Sequence, residues 1–375
     1  MMEVKNNLAE LRVKRGLGVA ELARRIGVSR QTIYAIETGE YIPNTLVSLK
    51  LAGALDAPVE KIFELDTPAK PVEELVEATL LGEASLFQRG QPLRLCQVEK
   101  RVVAVAAEFG GWELPQADAV LVEVERARGH SPLGKVRPLS EKWKSGARIL
   151  LAGCDPSVSF LGQAAVGQGC ELVACYANST QALELLREGV VHIAGSHLLD
   201  RSSGRAALAP LTRVFPRGSV AVFSYALWEE GMLVAPANPK RIRGVQDLAR
   251  RGVRFTNREP GAGCRTLLDN CLKKAGLTGG KVNGYEKITA GHLAAARQVR
   301  DGAVDCCIST RGVARAMSLD FIPLAEKPYH LLVRRAHLEL EPVKVLLAAM
   351  ERASFRREVE AATGYDMRCA GERLL

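Results

Sequence analysis

Along the first 65 positions apolar residues recur at helical spacing: Leu8 and Leu11, then Leu22, Ala23 and Ile26, then Ile33 and Ile36, then Leu46, Leu49 and Ala52. The spacing predicts a series of short amphipathic helices, each needing a neighbour to bury its stripe. From Asp66 to about Lys144 the pattern changes. A proline-bearing segment, DTPAKPVEE, leads into a short predicted helix ending in LLGEAS. Two apolar alternating runs follow, LRLCQVEKRVVAVAAEF and ADAVLVEVERA, separated by the turn GGWELPQ, and they predict a small β-rich unit. Its expected role is spacing or dimer contact, with Trp112 and Trp143 read as packing residues. After KWKSG the chain alternates strand, polar loop and helix through ARILLAGCDPSVSFLGQAA, CELVACYANSTQALELLREG and VVHIAGSHLLD, a pattern that predicts a parallel sheet flanked by helices. A second α/β lobe starts near VAPANPKRIRG and ends before SLDFIPL, after which KPYHLLVRR and two terminal helices return to the first.

The fold class expected is therefore multidomain: an all-α bundle over 1–66, a β-rich connector over 67–146, and an α/β bilobal domain over 147–375. Lobe I of that domain would comprise 147–235 and 322–375, and lobe II 236–321. A chain of 375 residues exceeds one ordinary core, in keeping with this division. No run of about 18 apolar residues suggests a membrane span, and the charged first segment does not read as a signal peptide, so a cytoplasmic protein is expected. Nine cysteines without a CxxC pair indicate neither a disulfide framework nor a thiolate zinc site, and Cys306 and Cys307 read as small buried thiols. The net charge of +9 suits an anionic partner, but residues 1–65 hold nine Lys and Arg against eight Asp and Glu, so most of the excess lies elsewhere.

In ELARRIGVSRQTIYAIETGEYIP, Gly27 can take the left-handed conformation that ends a helix and Ser29 is placed to cap the next, the grammar of a helix-turn-helix. ELARRIGVS followed by IxxIExG and xIP resembles the lambda-repressor-like (XRE) helix-turn-helix family over about 60 residues. The resemblance implies a five-helix bundle whose third helix enters the major groove of double-stranded DNA. Arg30, Gln31, Tyr34 and Ala35 then fall where base edges are touched, and Ser29 and Thr32 where phosphates are. Gly18-Val19 departs from the family's usual Thr-Gln and removes a phosphate-binding side chain, leaving backbone N–H groups to serve there.

In FTNREPGAGCRTLLDN a short strand turns into an amphipathic helix through Gly261 and Gly263, an arrangement that lets backbone N–H groups approach an anion. It has no third glycine for a dinucleotide turn and no P-loop lysine. Asp155-Pro156-Ser157, Asn178-Ser179-Thr180 and Gly195-Ser196-His197 follow successive predicted strands, where such folds collect ligands. The pieces AGCDP, AGSHLLD, NREPGAGCRTLLD, NGYE, GHLAAARQVRDGAVD and LDFIPLAEKPYHLLV resemble the type II periplasmic-binding-protein fold, and in particular the PBP-like domain of bacterial regulators and of proteins beside MoeA-type molybdenum-cofactor enzymes. Cys264, where a hydroxyl residue is common, and Gly291, where Thr is expected, depart from that pattern.

The expected ligand set is Asp155, Ser157, Ser179, Thr180, Ser196, Arg258, Gly261, Gly263, Cys264, Arg265 and Thr266. Backbone N–H groups at 261–266 would hold a small oxyanion, which the resemblance suggests is molybdate or tungstate. No catalytic triad, HExxH or metal-ligand spacing stands out among six histidines, with His197 and His292 alone in suggestive loops, so neither catalysis nor a cofactor or metal is expected. The function expected is a one-component transcriptional regulator, acting as a homodimer or higher homo-oligomer. The alternatives are an enzyme or anion-delivery protein of molybdenum-cofactor metabolism, or a regulator sensing a small organic anion.

Overall fold

The computed structural model describes residues 4–65, 75–107, 116–125, 131–197, 211 and 214–375. The proline-bearing segment, most of the GGWELPQ turn with Trp112, and the end of AGSHLLD lie outside them. The chain divides into two compact units, Met1–Pro71 and Val72–Leu375.

The first unit is a helical bundle of α1 (Leu8–Lys14), α2 (Val19–Ile26), α3 (Arg30–Glu37), α4 (Thr45–Leu55) and α5 (Val59–Ile62), with a strand pair β1 (Val4–Asn6) and β2 (Phe63–Leu65) joining its ends. Leu8, Leu22, Ala23, Ile26, Ile33 and Ile36 form its core with Leu51, Leu55 and Ile62. The face of α4 is a correction: Leu46 and Leu49 are 63% and 59% exposed, while Leu51 and Leu55 are buried. The cap sets this. Asn44 accepts from the Val47 N–H and starts the helix at Thr45, so that Val47, Leu51 and Leu55, four residues apart, face the bundle.

In the second unit, β3 (Val76–Leu80), β4 (Pro92–Val98), β5 (Arg101–Ala106), β6 (Ala119–Glu125) and β7 (Leu133–Pro138) close a barrel in the order β3-β5-β4-β6-β7. Residues 76–80 are thus a strand, not the helix expected: Ala78 and Leu80 face the barrel core and alternate with Glu77, a period of two. Trp143 is buried in that core. The barrel is packed onto lobe I through Cys96, Val98, Val103 and Val105. Arg148 forks onto Asp118 at 2.7 and 3.0 Å and onto Glu171 at 2.6 Å at the same junction.

The bilobal domain is built on one mixed sheet, ordered β12-β11-β13-β10-β8-β9. β8 (Arg148–Gly153), β9 (Glu171–Tyr176) and β10 (Ile193–Ser196) are parallel, as the sequence pattern predicts. The remainder departs from it: β11 (Val220–Val234) and β13 (Asp320–Arg334), fifteen residues each, run antiparallel along almost their whole length and pass from lobe I into lobe II, where β12 (Cys306–Thr310) joins them. Helices α6 (Val158–Val166), α7 (Ser179–Glu188), α11 (Glu341–Glu351) and α12 (Ala353–Thr363) belong to lobe I, and α8 (Gly263–Lys274), α9 (His292–Arg300) and α10 (Arg311–Ala316) to lobe II. Separate cores surround Tyr225, Trp228 and Tyr329 in the first lobe and Phe255, Leu268 and Ile308 in the second. Among the described residues no helix is long and apolar enough to cross a membrane.

Candidate functional site

Arg30 and Gln31 are exposed at the start of α3, and Tyr34 is 56% exposed one turn further on the same helix. Ser29 caps it, accepting from the Thr32 N–H at 3.0 Å and pairing hydroxyls with Thr32 at 2.8 Å, while Ala35 and Thr32 are half-buried. Gly18 precedes α2 and offers no side-chain cap, and its carbonyl accepts from the Glu21 and Leu22 N–H groups at 3.0 Å each. Glu37 at the other end of α3 takes both Arg12 Nε and Nη2, at 2.6 and 3.1 Å, which fixes the helix against α1. Helix α3, braced against α1, thus presents Arg30, Gln31 and Tyr34 on an exposed face.

In the bilobal domain the strand-end loops converge where the lobes meet. Gly153 ends β8 because Tyr329 lies across it: a Cβ there would come within 2.5 Å of the Tyr329 hydroxyl, and one at Gly195 within 2.0 Å. The Cys154 N–H donates to that hydroxyl at 3.3 Å. Asp155 is buried and accepts from the Ser157 N–H, the Ser157 hydroxyl and the Tyr365 hydroxyl. Burial nevertheless pushes its carboxyl up to about 6, against the pull of those bonds. The Ser157 hydroxyl also meets Tyr225 at 3.0 Å, so it is committed to this network.

Across the cleft, Arg258 is 2% exposed and holds Glu259 through Nε at 3.0 Å and Nη2 at 3.1 Å, while Nη2 also donates to the Tyr176 hydroxyl at 2.6 Å. Tyr176, from lobe I, in turn donates to Glu259. Burial pushes Glu259 up, but Arg258 outweighs it and holds the carboxyl below its usual range. Among the described residues Arg258 Nη1 is buried with no partner, as is Trp228 Nε1 on the crossing strand β11. A buried guanidinium donor without an acceptor is costly, and an incoming acceptor removes that cost.

The same place gathers His197, whose Nδ1 lies 3.3 Å from a Glu230 oxygen, and Cys264, whose thiol donates to that oxygen at 3.4 Å. Glu230 is 1% exposed. Burial lowers both His197 and His292 and Arg258 lowers them further, while at His197 the neighbouring Glu230 opposes the shift without reversing it. His292 Nδ1 pairs with the Ser309 hydroxyl at 3.0 Å. Trp228 stacks edge-on to both rings, with centroids at 5.1 and 5.7 Å. Beside this chamber a cavity of about 430 Å³ opens between the 153–159 loop, Tyr176 and the start of α9 at Gly291-His292.

Several residues of the expected ligand set are exposed or already engaged with protein groups. Thr180 and Thr266 are exposed, and Arg265 lies over the Tyr285 ring at 5.1 Å, with its Nη1 donating to the Arg258 carbonyl at 3.3 Å. Ser179 accepts from the His197 N–H at 3.2 Å, and Ser196 is fully buried on β10. The close approach that the glycines permit is to protein: a Cβ at Gly263 would come within 2.0 Å of the His197 ring, and one at Gly261 within 3.3 Å of Asn178. Asn178, which caps α7, also donates to the Pro260 carbonyl at 3.4 Å, a further bond between lobes. Glu230, Trp228, Tyr176 and Tyr365 were not singled out from the sequence. Only the Glu229-Glu230 pair carries a signal there, as two adjacent charges inside a largely apolar strand, of which Glu230 is the buried one.

The model of the PBP superfamily domain matches residues 163–351, half of the chain. The chain belongs to the PBP superfamily. A second model, helix-turn-helix, matches residues 8–62. The uncharacterized protein YvgK of Bacillus subtilis is 30% identical over 200 residues, 53% of this chain; the chain spans 64% of that relative's length. The uncharacterized HTH-type transcriptional regulator YgzD of the same organism is 40% identical over 63 residues, 17% of this chain and 96% of its own. Among solved structures, a putative phosphate ABC transporter substrate-binding protein with bound phosphate from Clostridium perfringens aligns at a TM-score of 0.44 and 11% identity, covering 58% of this chain and 98% of its own. This PBP-superfamily chain therefore joins a helix-turn-helix module to an α/β bilobal domain, the architecture expected from its sequence.

Proposed function

We propose that this protein is a one-component transcriptional regulator that binds operator DNA through α3 and senses a small anion in the bilobal cleft. The observation that carries the sensor half is Arg258: a charged, buried guanidinium whose Nη1 has no acceptor among the described residues, at the meeting point of two lobes. An anion bound there would pair with it and bridge the jaws, favouring the closed form. Support for the DNA half comes from the helix-turn-helix match and the exposed Arg30, Gln31 and Tyr34.

Molybdate or tungstate is one ligand class to test. The buried carboxylates of Asp155 and Glu230 favour the second class, an organic anion that also carries a hydroxyl or ammonium donor, because a bare oxyanion would meet them without a proton to share. The test is to select an operator from random duplexes with the full chain, then titrate molybdate, tungstate and a panel of small carboxylates by calorimetry. Binding that vanishes in Arg258→Gln is expected. A ligand bound equally well by that variant, or a parent that selects no sequence, would refute the corresponding half.

A further inference from the structure

Lobe II carries the whole charge surplus of the chain. Residues 236–321 hold sixteen Lys and Arg against seven Asp and Glu, a surplus of nine equal to the net charge of the protein, so that all other residues together balance at 35 of each sign. The helix-turn-helix unit, by contrast, is close to neutral. The surplus is concentrated where a turn at 237–243 lies beside the segment 247–254, with Lys240, Arg241, Arg243, Arg250, Arg251 and Arg254 all exposed.

The two segments are knit together. Arg250 Nη2 donates to the carbonyls of Lys240 at 2.7 Å and Arg241 at 3.3 Å, and Lys240 Nζ donates to the Gly252 carbonyl at 3.2 Å. Asp247 occupies Arg250 and Asp305 occupies Arg254, whereas among the described residues Arg241, Arg243 and Arg251 make no ion pair. The turn itself is held in an unfavourable shape. Ala237, Asn238 and Arg241 have φ of 62°, 46° and 50°, a left-handed region that residues with a Cβ avoid. Asn238 locks it by bonding both the N–H and the carbonyl of Ile242, at 2.9 and 2.7 Å. Folding thus holds like charges together on a strained, braced turn. Such a surface gains from a polyanion, because Arg pairs with phosphate in a fork and each phosphate neutralised releases a condensed counterion.

We propose that this face of lobe II contacts the phosphate backbone of duplex DNA as a second, sequence-independent anchor in addition to the helix-turn-helix. DNA is the polyanion favoured because the helix-turn-helix of the same chain brings a duplex to it, making even weak phosphate contacts effective. The inference rests on the reading of α3 as a DNA reader, and the two separate by experiment.

The full chain, its Arg241→Gln/Arg243→Gln/Arg251→Gln variant and its Arg30→Ala/Gln31→Ala variant are titrated with the selected operator and with a random-sequence duplex over a range of salt concentrations. The triple variant, changed only at exposed side chains and checked by its melting transition, is expected to lose the same factor on both duplexes. Its plot of log affinity against log salt should flatten by about 2–3, near 0.9 per phosphate contact removed. The α3 variant should lose far more on the operator than on the random duplex. A triple variant with unchanged affinity and salt slope on both duplexes overturns the anchor. A triple variant that behaves as expected, beside an α3 variant with no selective loss, keeps the anchor and removes the DNA-reading role of α3.

Discussion

A single atom decides much of the cleft. At Gly263 a methyl group would sit 2.0 Å from the His197 ring, while the backbone there is at an ordinary helix start, so the glycine is required by the neighbouring ring rather than by its own φ. Gly263→Ala is expected to cost about 1–3 kcal/mol, as overpacking does. Adding His197→Ala should recover part of it, a non-additivity that denaturant unfolding of the two single variants and the double would reveal. Asp155 adds a pH signature. Its carboxyl titrates at about 6 in the folded chain against an ordinary 3.8, so the folded state keeps this proton longer than the unfolded state does. The associated stability is fully present below about 3.8 and lost as pH rises through about 6, at most about 3 kcal/mol for two pH units. His192 acts oppositely: burial lowers it to about 4, so its contribution is present above 6.5 and lost as the pH falls towards 4. Unfolding of Asp155→Asn followed between pH 4 and 6 should therefore fall more steeply on acidification than that of the parent. Parallel curves would mean that Asp155 has an ordinary affinity for its proton.

At the scale of elements, helix spacing in the first unit predicted α2 and α3 with their buried faces, because their apolar residues are few and have only one face to occupy. Helix α4 is different. With Leu46, Val47, Leu49, Leu51 and Leu55 to choose from, periodicity permits two faces, and the Asn44 cap and neighbouring helices select one. The register gives a direct test: Leu51→Ala should destabilise by about 2–5 kcal/mol, whereas Leu46→Ser should stay within about 0.5 kcal/mol, read from chemical denaturation midpoints. Comparable losses would place Leu46 in a core. On α3, Arg30→Ala or Gln31→Ala should weaken the selected operator by about 1–3 kcal/mol per lost bidentate contact and random duplex much less.

For the whole molecule, the consequence of joining a reader to a clamp is linkage. If the ligand favours one form of the clamp, and that form differs in operator affinity, ligand and operator change each other's affinity by one common factor, typically about 5–150-fold. Operator titrations with and without saturating ligand, and ligand titrations with and without operator, should give the same ratio. Arg258→Gln, which removes the expected ligand contact, should bring that ratio to one. An operator affinity indifferent to a ligand shown by calorimetry to fill the cleft would reject the sensor and leave an anion-storage or scaffold role.

By itself the sequence determined the order of modules, the helix-turn-helix grammar, the parallel strands β8 to β10 and the loops that follow them, all of which rest on local spacing and caps. It also marked Gly263 as a place of close approach and Arg258 as a candidate. Which of Arg258 and Arg265 enters the cleft, and that the glycines face His197 and Asn178, only the tertiary structure decided. So too for Glu230, Trp228, Tyr176 and Tyr365, which reach one chamber from the crossing strand β11, the end of β9 and the C-terminal segment. Local spacing alone favours a helix at strand β3, because its barrel partners β5 and β7 lie more than twenty residues away in sequence. The physical reason is common to these cases: a local pattern fixes what a segment can form and which side it can bury, whereas burial of a charge and the partner of a strand depend on residues distant along the chain.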